Sequence, residues 1–134
     1  MIQPLILALT LVSSVAVAQE ATVTYRGTEK VTVSSCGNYD GVSSGDWSIA
    51  LAPPTDKGIP LKGKAANGGE FSGAGERAGS TLTGKVSGIN SHGSYWSSTI
   101  EASIDGDRLV GRNTGSVRGT SCKFVSEFDT RRSE

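Results

Sequence analysis

The stretch YWSSTIEASIDGD, residues 95–107, puts Trp96, Ile100, Ala102 and Ile104 on one side of an extended chain and Tyr95, Thr99 and Glu101 on the other. Successive side chains of a β-strand point to opposite faces, so this spacing predicts a long strand with one apolar and one polar face. Asp105-Gly106-Asp107 then supplies the residues that a tight hairpin demands. Upstream, Trp47, Ile49 and Leu51 share a face until Pro53-Pro54, which lack the N–H groups to continue a ladder. Val23 and Tyr25 alternate with Thr22, Thr24 and Arg26; Gly27-Thr28-Glu29 reads as a turn, and Val31 and Val33 resume the pattern, predicting a first hairpin. Shorter strands are expected around 59–64, 69–74, 80–88, 107–112, 115–119 and 121–128, for eight to ten in all. No stretch after residue 19 carries a capped helical stripe.

Glycine decides how such strands assemble. Six times a bulky apolar residue is followed two positions later by glycine: Leu61 and Gly63, Phe71 and Gly73, Leu82 and Gly84, Val86 and Gly88, Leu109 and Gly111, Val117 and Gly119. Positions i and i+2 share a face, so each pair sets a large side chain beside an absent one, and a sheet can curl inward there until it closes. The alternative is that these glycines are turn residues following strand ends. The expected fold is all-β, a small closed antiparallel up-and-down barrel, with a β-sandwich as the alternative. The order Cys36, Trp47, Cys122 imitates an immunoglobulin sandwich, but Thr120 stands where its corner tyrosine would be. A lipid-spanning barrel needs strands of about 9–11 residues, more chain than eight strands and their loops leave here.

The chain has 134 residues, 13 basic against 13 acidic, one histidine and two cysteines. Zero formal net charge gives no electrostatic footprint for nucleic acid or an anionic membrane. One His92 without further histidines leaves transition-metal sites short of ligands, and Asp105 and Asp107 lack the spaced partners of a calcium loop. No metal and no cofactor is expected.

Residues 4–18 form an apolar run closing in Ala16-Val17-Ala18, the small-x-small pattern of a cleaved leader. The expected organisation is a signal peptide over 1–18, one β domain over 19–128 and a flexible polar tail over 129–134, in a periplasmic or secreted protein with no membrane span once the leader is removed. In that compartment Cys36 and Cys122 are expected to pair, closing a long loop that the chain-entropy model values at about 4–5 kcal/mol. Tyr39-Asp40-Gly41 before Asp46-Trp47, the repeated apolar-x-Gly strands, Arg108-Leu109-Val110-Gly111-Arg112 and Gly119-Thr-Ser-Cys122-Lys-Phe124 together resemble small exported β-proteins of Gram-negative bacteria. The resemblance implies fold and compartment and carries over no catalytic residue.

Chemistry is scarce along the strands. Ser91 beside His92 suggests a nucleophile and its base, but neighbouring strand residues face opposite ways, and Ile89 stands where a nucleophile elbow needs glycine. Binding is better supplied. The connection from Cys36 to Gly45 carries Tyr39, Asp40 and Val42, and the loop from Gly88 to Ser94 carries His92. Tyr95 and Glu101 share the polar face of the longest strand, where an exposed tyrosine offers contact area with a hydrogen-bonding tip. These six residues are the candidate binding set, with no catalytic residue among them. The expected function is a non-enzymatic exported module presenting its loops or barrel mouth to a protein, glycan or small ligand, including inhibition of an enzyme. The alternatives are a structural or envelope-stress protein without a discrete ligand, and a carboxylate-based hydrolase.

Overall fold

A computed structural model of the chain describes residues 21–35, 44–66, 68–90 and 93–133. They form eight strands: β1 Val23–Ser34, β2 Ser44–Leu51, β3 Ile59–Lys64, β4 Glu70–Ala78, β5 Thr81–Ile89, β6 Tyr95–Asp105, β7 Arg108–Val117 and β8 Lys123–Ser133. Each pairs antiparallel with the next, and β8 pairs with β1 to close an up-and-down barrel. Among the described residues closure leaves no second sheet for a sandwich to pack against. In β6 buried and exposed positions alternate without a break from Tyr95 to Asp105.

Three local expectations are corrected. Gly27-Thr28-Glu29 is not a turn: Thr28 pairs with Asp46 on β2 and with Asp129 on β8, so β1 is one strand with neighbours on both sides. Residues 107–112 and 115–119 are not two strands, because Asn113 and Thr114 pair with β6 and β8 throughout and β7 runs unbroken to Val117. The polar end is not a tail, since β8 continues to Ser133, Thr130 is buried, and Arg131 and Arg132 pair with β1. In each case cross-strand pairing on both flanks outweighs the local signal for a turn or a frayed end.

The glycine pattern is explained by what stands opposite. Gly63 lies directly across from Phe71 on β4 and Ile49 on β2, and an added Cβ there would run into the Phe71 ring. Gly73 faces Leu61 and Val86, Gly84 faces Ile100, Gly88 faces Phe71 and Trp96, and Gly111 faces Ala102 and Phe128. An eight-stranded barrel has an interior just wide enough for side chains to fill. Large residues therefore lie across glycines of the adjoining strand, and the sheet bends tightly where no side chain resists. Gly119 is the exception: with φ +78° it sits in the turn after β7, as a turn glycine should.

The connections alternate between the two ends. One end, called upper here, carries the segments between β1 and β2, β3 and β4, β5 and β6, and β7 and β8; the lower end carries the other three. Toward the lower end the interior is solid, with Tyr25, Ile49, Leu82, Ile104, Leu109 and Phe128 all buried. Burying each such side chain contributes about 1.5–3 kcal/mol. The outer face is polar at mid-height, where Arg26, Lys62, Lys85, Glu101, Arg112 and Glu127 are exposed.

Ion pairs brace β6, β7 and β8 from outside. Arg108 donates to both oxygens of Asp129, at 3.0 and 2.6 Å, and Arg112 lies 3.8 Å from Glu101. The Arg108 hydrogen bond holds the Asp129 carboxyl below its ordinary range and raises Arg108 in turn. A carboxyl lowered in the folded state stabilises above its unfolded value, and that contribution disappears as pH falls below about 4. Both groups are exposed, so the effect is small and salt-screened. Asp129→Asn is expected to lower the urea midpoint slightly at neutral pH and not at all in strong acid or high salt.

Candidate functional site

Apart from Thr130, which donates to the Leu109 carbonyl nearer the lower end, the buried polar residues meet in one place. Continuing the β1 alternation through Tyr25 and Gly27 brings Glu29 onto the inner face, where it is 8% exposed. The same inner face of β7 carries Asn113, that of β8 carries Ser126, and that of β6 carries Ser98, all buried. Ser126 is the register partner of both Asn113 and Val31, so the cluster lies across the seam where β8 closes onto β1.

These residues form one hydrogen-bonded group. The Ser126 hydroxyl donates to Glu29 Oε2 at 2.6 Å and the Asn113 amide donates to the same oxygen at 3.3 Å. The Ala66 N–H, from the β3–β4 connection, donates to Glu29 Oε1 at 3.3 Å, and the Ser98 hydroxyl donates to Asn113 Oδ1 at 3.5 Å. A buried carboxylate is costly unless it is hydrogen-bonded, and three donors from three elements meet that need. The Ala66 bond also ties an upper loop to the barrel wall.

Above the solid core this cluster opens on a cavity of about 60 Å³, walled by Glu29, Trp47, Phe71, Trp96, Asn113 and Ser126 among others. Aromatic rings run through its wall: Trp47 stacks on Phe71 at 5.6 Å, Phe71 meets Trp96 at 5.9 Å, and Trp96 meets Phe124 edge-on at 6.1 Å. Space for these rings again comes from a glycine. A Cβ on Gly115 would lie 2.6 Å from Phe124 Cζ and 2.7 Å from Ser98 Cβ. Both tryptophans are buried, and neither indole N–H has an acceptor among the described residues, which costs about 1–3 kcal/mol at each position.

Of the residues singled out in the sequence, Tyr39, Asp40, Val42 and His92 lie outside the described residues, as does Cys36. The described residues that flank them, Ser35, Ser44, Asn90 and Gly93, are at the upper end, whereas the Pro53-Pro54 connection lies at the lower end. Tyr95 is 57% exposed at the upper rim, on the outer face beside Ile89, and its chain neighbour Trp96 is the residue that points into the barrel. Glu101 sits on the outside at mid-height, paired with Arg112, and takes no part in the cavity. Sequence reasoning missed Glu29, Ser98, Asn113 and Ser126. The available signal was a polar residue on an otherwise apolar face: Glu29 follows Val23 and Tyr25 in phase, and Ser126 stands between Phe124 and Phe128.

The fold and site define an eight-stranded up-and-down barrel with a small aromatic-walled cavity toward its upper end and an open hollow of about 740 Å³ at its lower mouth, lined by Val23, Tyr25, Leu51, Ile59 and Arg132 among others. Comparison with protein-family models, curated proteins and solved structures finds no match for this chain.

Proposed function

We propose that this is an exported, non-enzymatic binding barrel that takes its ligand into the upper end. The observation that carries the reading is the aromatic-walled cavity of the upper interior, which holds a hydrogen-bonded carboxylate above the core packed by Ile49, Leu82, Ile104 and Leu109. Binding sites are concave, mostly apolar and furnished with a few placed polar groups. Among the described residues Glu29 is the one carboxylate in the cavity wall, which favours holding a ligand over hydrolysis by a carboxylate pair. Export rests on the leader-like residues 1–18, and the Cys36–Cys122 bridge proposed with it would fasten the β1–β2 loop to the β7–β8 connection at this same end.

The chain contains two tryptophans, both in the cavity wall, so their indole N–H resonances report on it directly. Screening a chemically mixed library by NMR is expected to give compounds that shift both resonances saturably while leaving the Leu82 and Leu109 methyls of the lower core unmoved. Failure of every compound to shift either indole, or shifts centred on the lower core, would overturn the proposal. A thiol titration of unfolded, unreduced protein tests the bridge, with no reactive thiol expected.

A further inference from the structure

The hollow at the lower mouth has a wall that specifies a ligand of its own. We infer that it takes a small apolar carboxylic acid, its carboxylate held by Arg132 and Tyr25 and its hydrocarbon body laid on Val23, Leu51 and Ile59. At about 740 Å³ the hollow is of the size of small-molecule sites. Val23 and Leu51 are half-buried register partners, and half-buried Ile59 stands across from Gly75, which contributes no side chain, so an apolar wall faces the mouth. Tyr25 is set into this wall. It is 5% exposed, and its hydroxyl has no hydrogen-bond partner among the described residues, yet it is not sealed off as the Trp47 and Trp96 nitrogens are. Arg132 is its register partner on β8, and directly paired positions put Cβ atoms about 4.5–5.5 Å apart on one face. Side by side, the phenol and the guanidinium can meet the two oxygens of one carboxylate. Arg132 has no carboxylate partner among the described residues, whereas Arg108, Arg112 and Arg131 each have one.

The donors set the charge of the ligand. A guanidinium donates and cannot accept, and its planar fork matches a carboxylate. Arg77 adds a second cation to the rim, its Nε committed to the Gly79 carbonyl at 2.8 Å. Glu76 is the one carboxylate lining the hollow among the described residues; it is exposed and belongs to the outward set of β4, between Gly75 and Arg77. The lining therefore carries net positive charge. An alkylammonium is repelled by it, an alcohol forgoes the charge-assisted bond, and acetate lacks the apolar body that gains from the wall. Tyr25 and Glu29 lie four positions apart on β1, about 13 Å along the strand, so this site stands whether or not the upper cavity binds a ligand.

The test is a titration of the purified chain, its methyl groups followed by NMR, with octanoate and 3-phenylpropionate, and with octanol, octylammonium and acetate as controls. Saturable shifts of the Val23, Leu51 and Ile59 methyls by at least one acid are expected, with every control binding at least about tenfold more weakly. Arg132→Gln and Tyr25→Phe are expected to weaken the acid about tenfold and about fivefold, read by calorimetry. Arg131→Gln removes the same charge one position away on the outer face, and is expected to leave the affinity within about twofold. Octanol or octylammonium binding as tightly as the acids, or equal losses in Arg132→Gln and Arg131→Gln, overturns the assignment. So does a response of these methyls to protein concentration alone, which makes a second copy of the chain the occupant, and so does the lack of a saturable shift with either acid.

Discussion

Trp47→Ala is expected to lower the unfolding free energy by about 3–5 kcal/mol, the largest single side-chain effect in this barrel. Trp47 is 2% exposed and lies between two rings, stacked on Phe128 at 4.1 Å and on Phe71 at 5.6 Å. It stands where the solid lower core meets the cavity, so truncation joins a new void to one already present. Phe71 and Phe128 would lose a partner on one side, and the surrounding strands, each hydrogen-bonded on both edges, have little freedom to collapse inward. Trp47→Phe is expected to cost far less, because the volume lost is offset by removal of a buried N–H that has no acceptor. Urea unfolding of the two variants gives the measurement. Equal losses for Ala and Phe would mean that the stack contributes little.

Gly27→Ala is expected to cost about 3 kcal/mol or more, although it adds one methyl group. The new Cβ would collide with the Asp129 carbonyl and come within 2.7 Å of Thr130 Cα. Both are backbone atoms of β8, so no side-chain rotation relieves the contact, and β1 must part from β8 at the line where the barrel closes. Neighbouring Thr28 points outward, and Thr28→Ala is expected to stay within about 0.5 kcal/mol. Hydrogen exchange distinguishes the mechanism: in Gly27→Ala the amides between β1 and β8 should lose protection ahead of those between β4 and β5. Uniform loss of protection would point instead to a general weakening of the barrel.

Much of this was legible in the chain. The period of two in residues 95–104, the stop at Pro53-Pro54 and the Asp105-Gly106-Asp107 turn correspond to β6, the end of β2 and the β6–β7 hairpin. Leu61-Lys62-Gly63 and Leu109-Val110-Gly111 pointed to closure because curvature needs bulk and absence on one face, and the register places each glycine opposite bulk on the adjoining strand. Gly27 misled for the same reason that it matters. A glycine followed by two polar residues has the local chemistry of a turn, and only the nearness of β8 shows it to be a contact.

The site was less legible. Tyr95 drew attention as a large polar aromatic, yet a strand sends neighbours to opposite faces, and the groups with unmet hydrogen bonds are the inward Trp96 and Trp47. Glu29 and Ser126 are 97 positions apart and meet at 2.6 Å because β8 closes onto β1. Sequence by itself determined the strand period, the apolar faces and the need for the sheet to curl, since these follow from residues one or two positions apart. Tertiary structure alone decided which polar residues share the interior, which loops share an end, and where the barrel is left hollow. Those depend on register summed around eight strands, and a shift of one residue in any pair would turn Glu29 or Ser126 out to solvent.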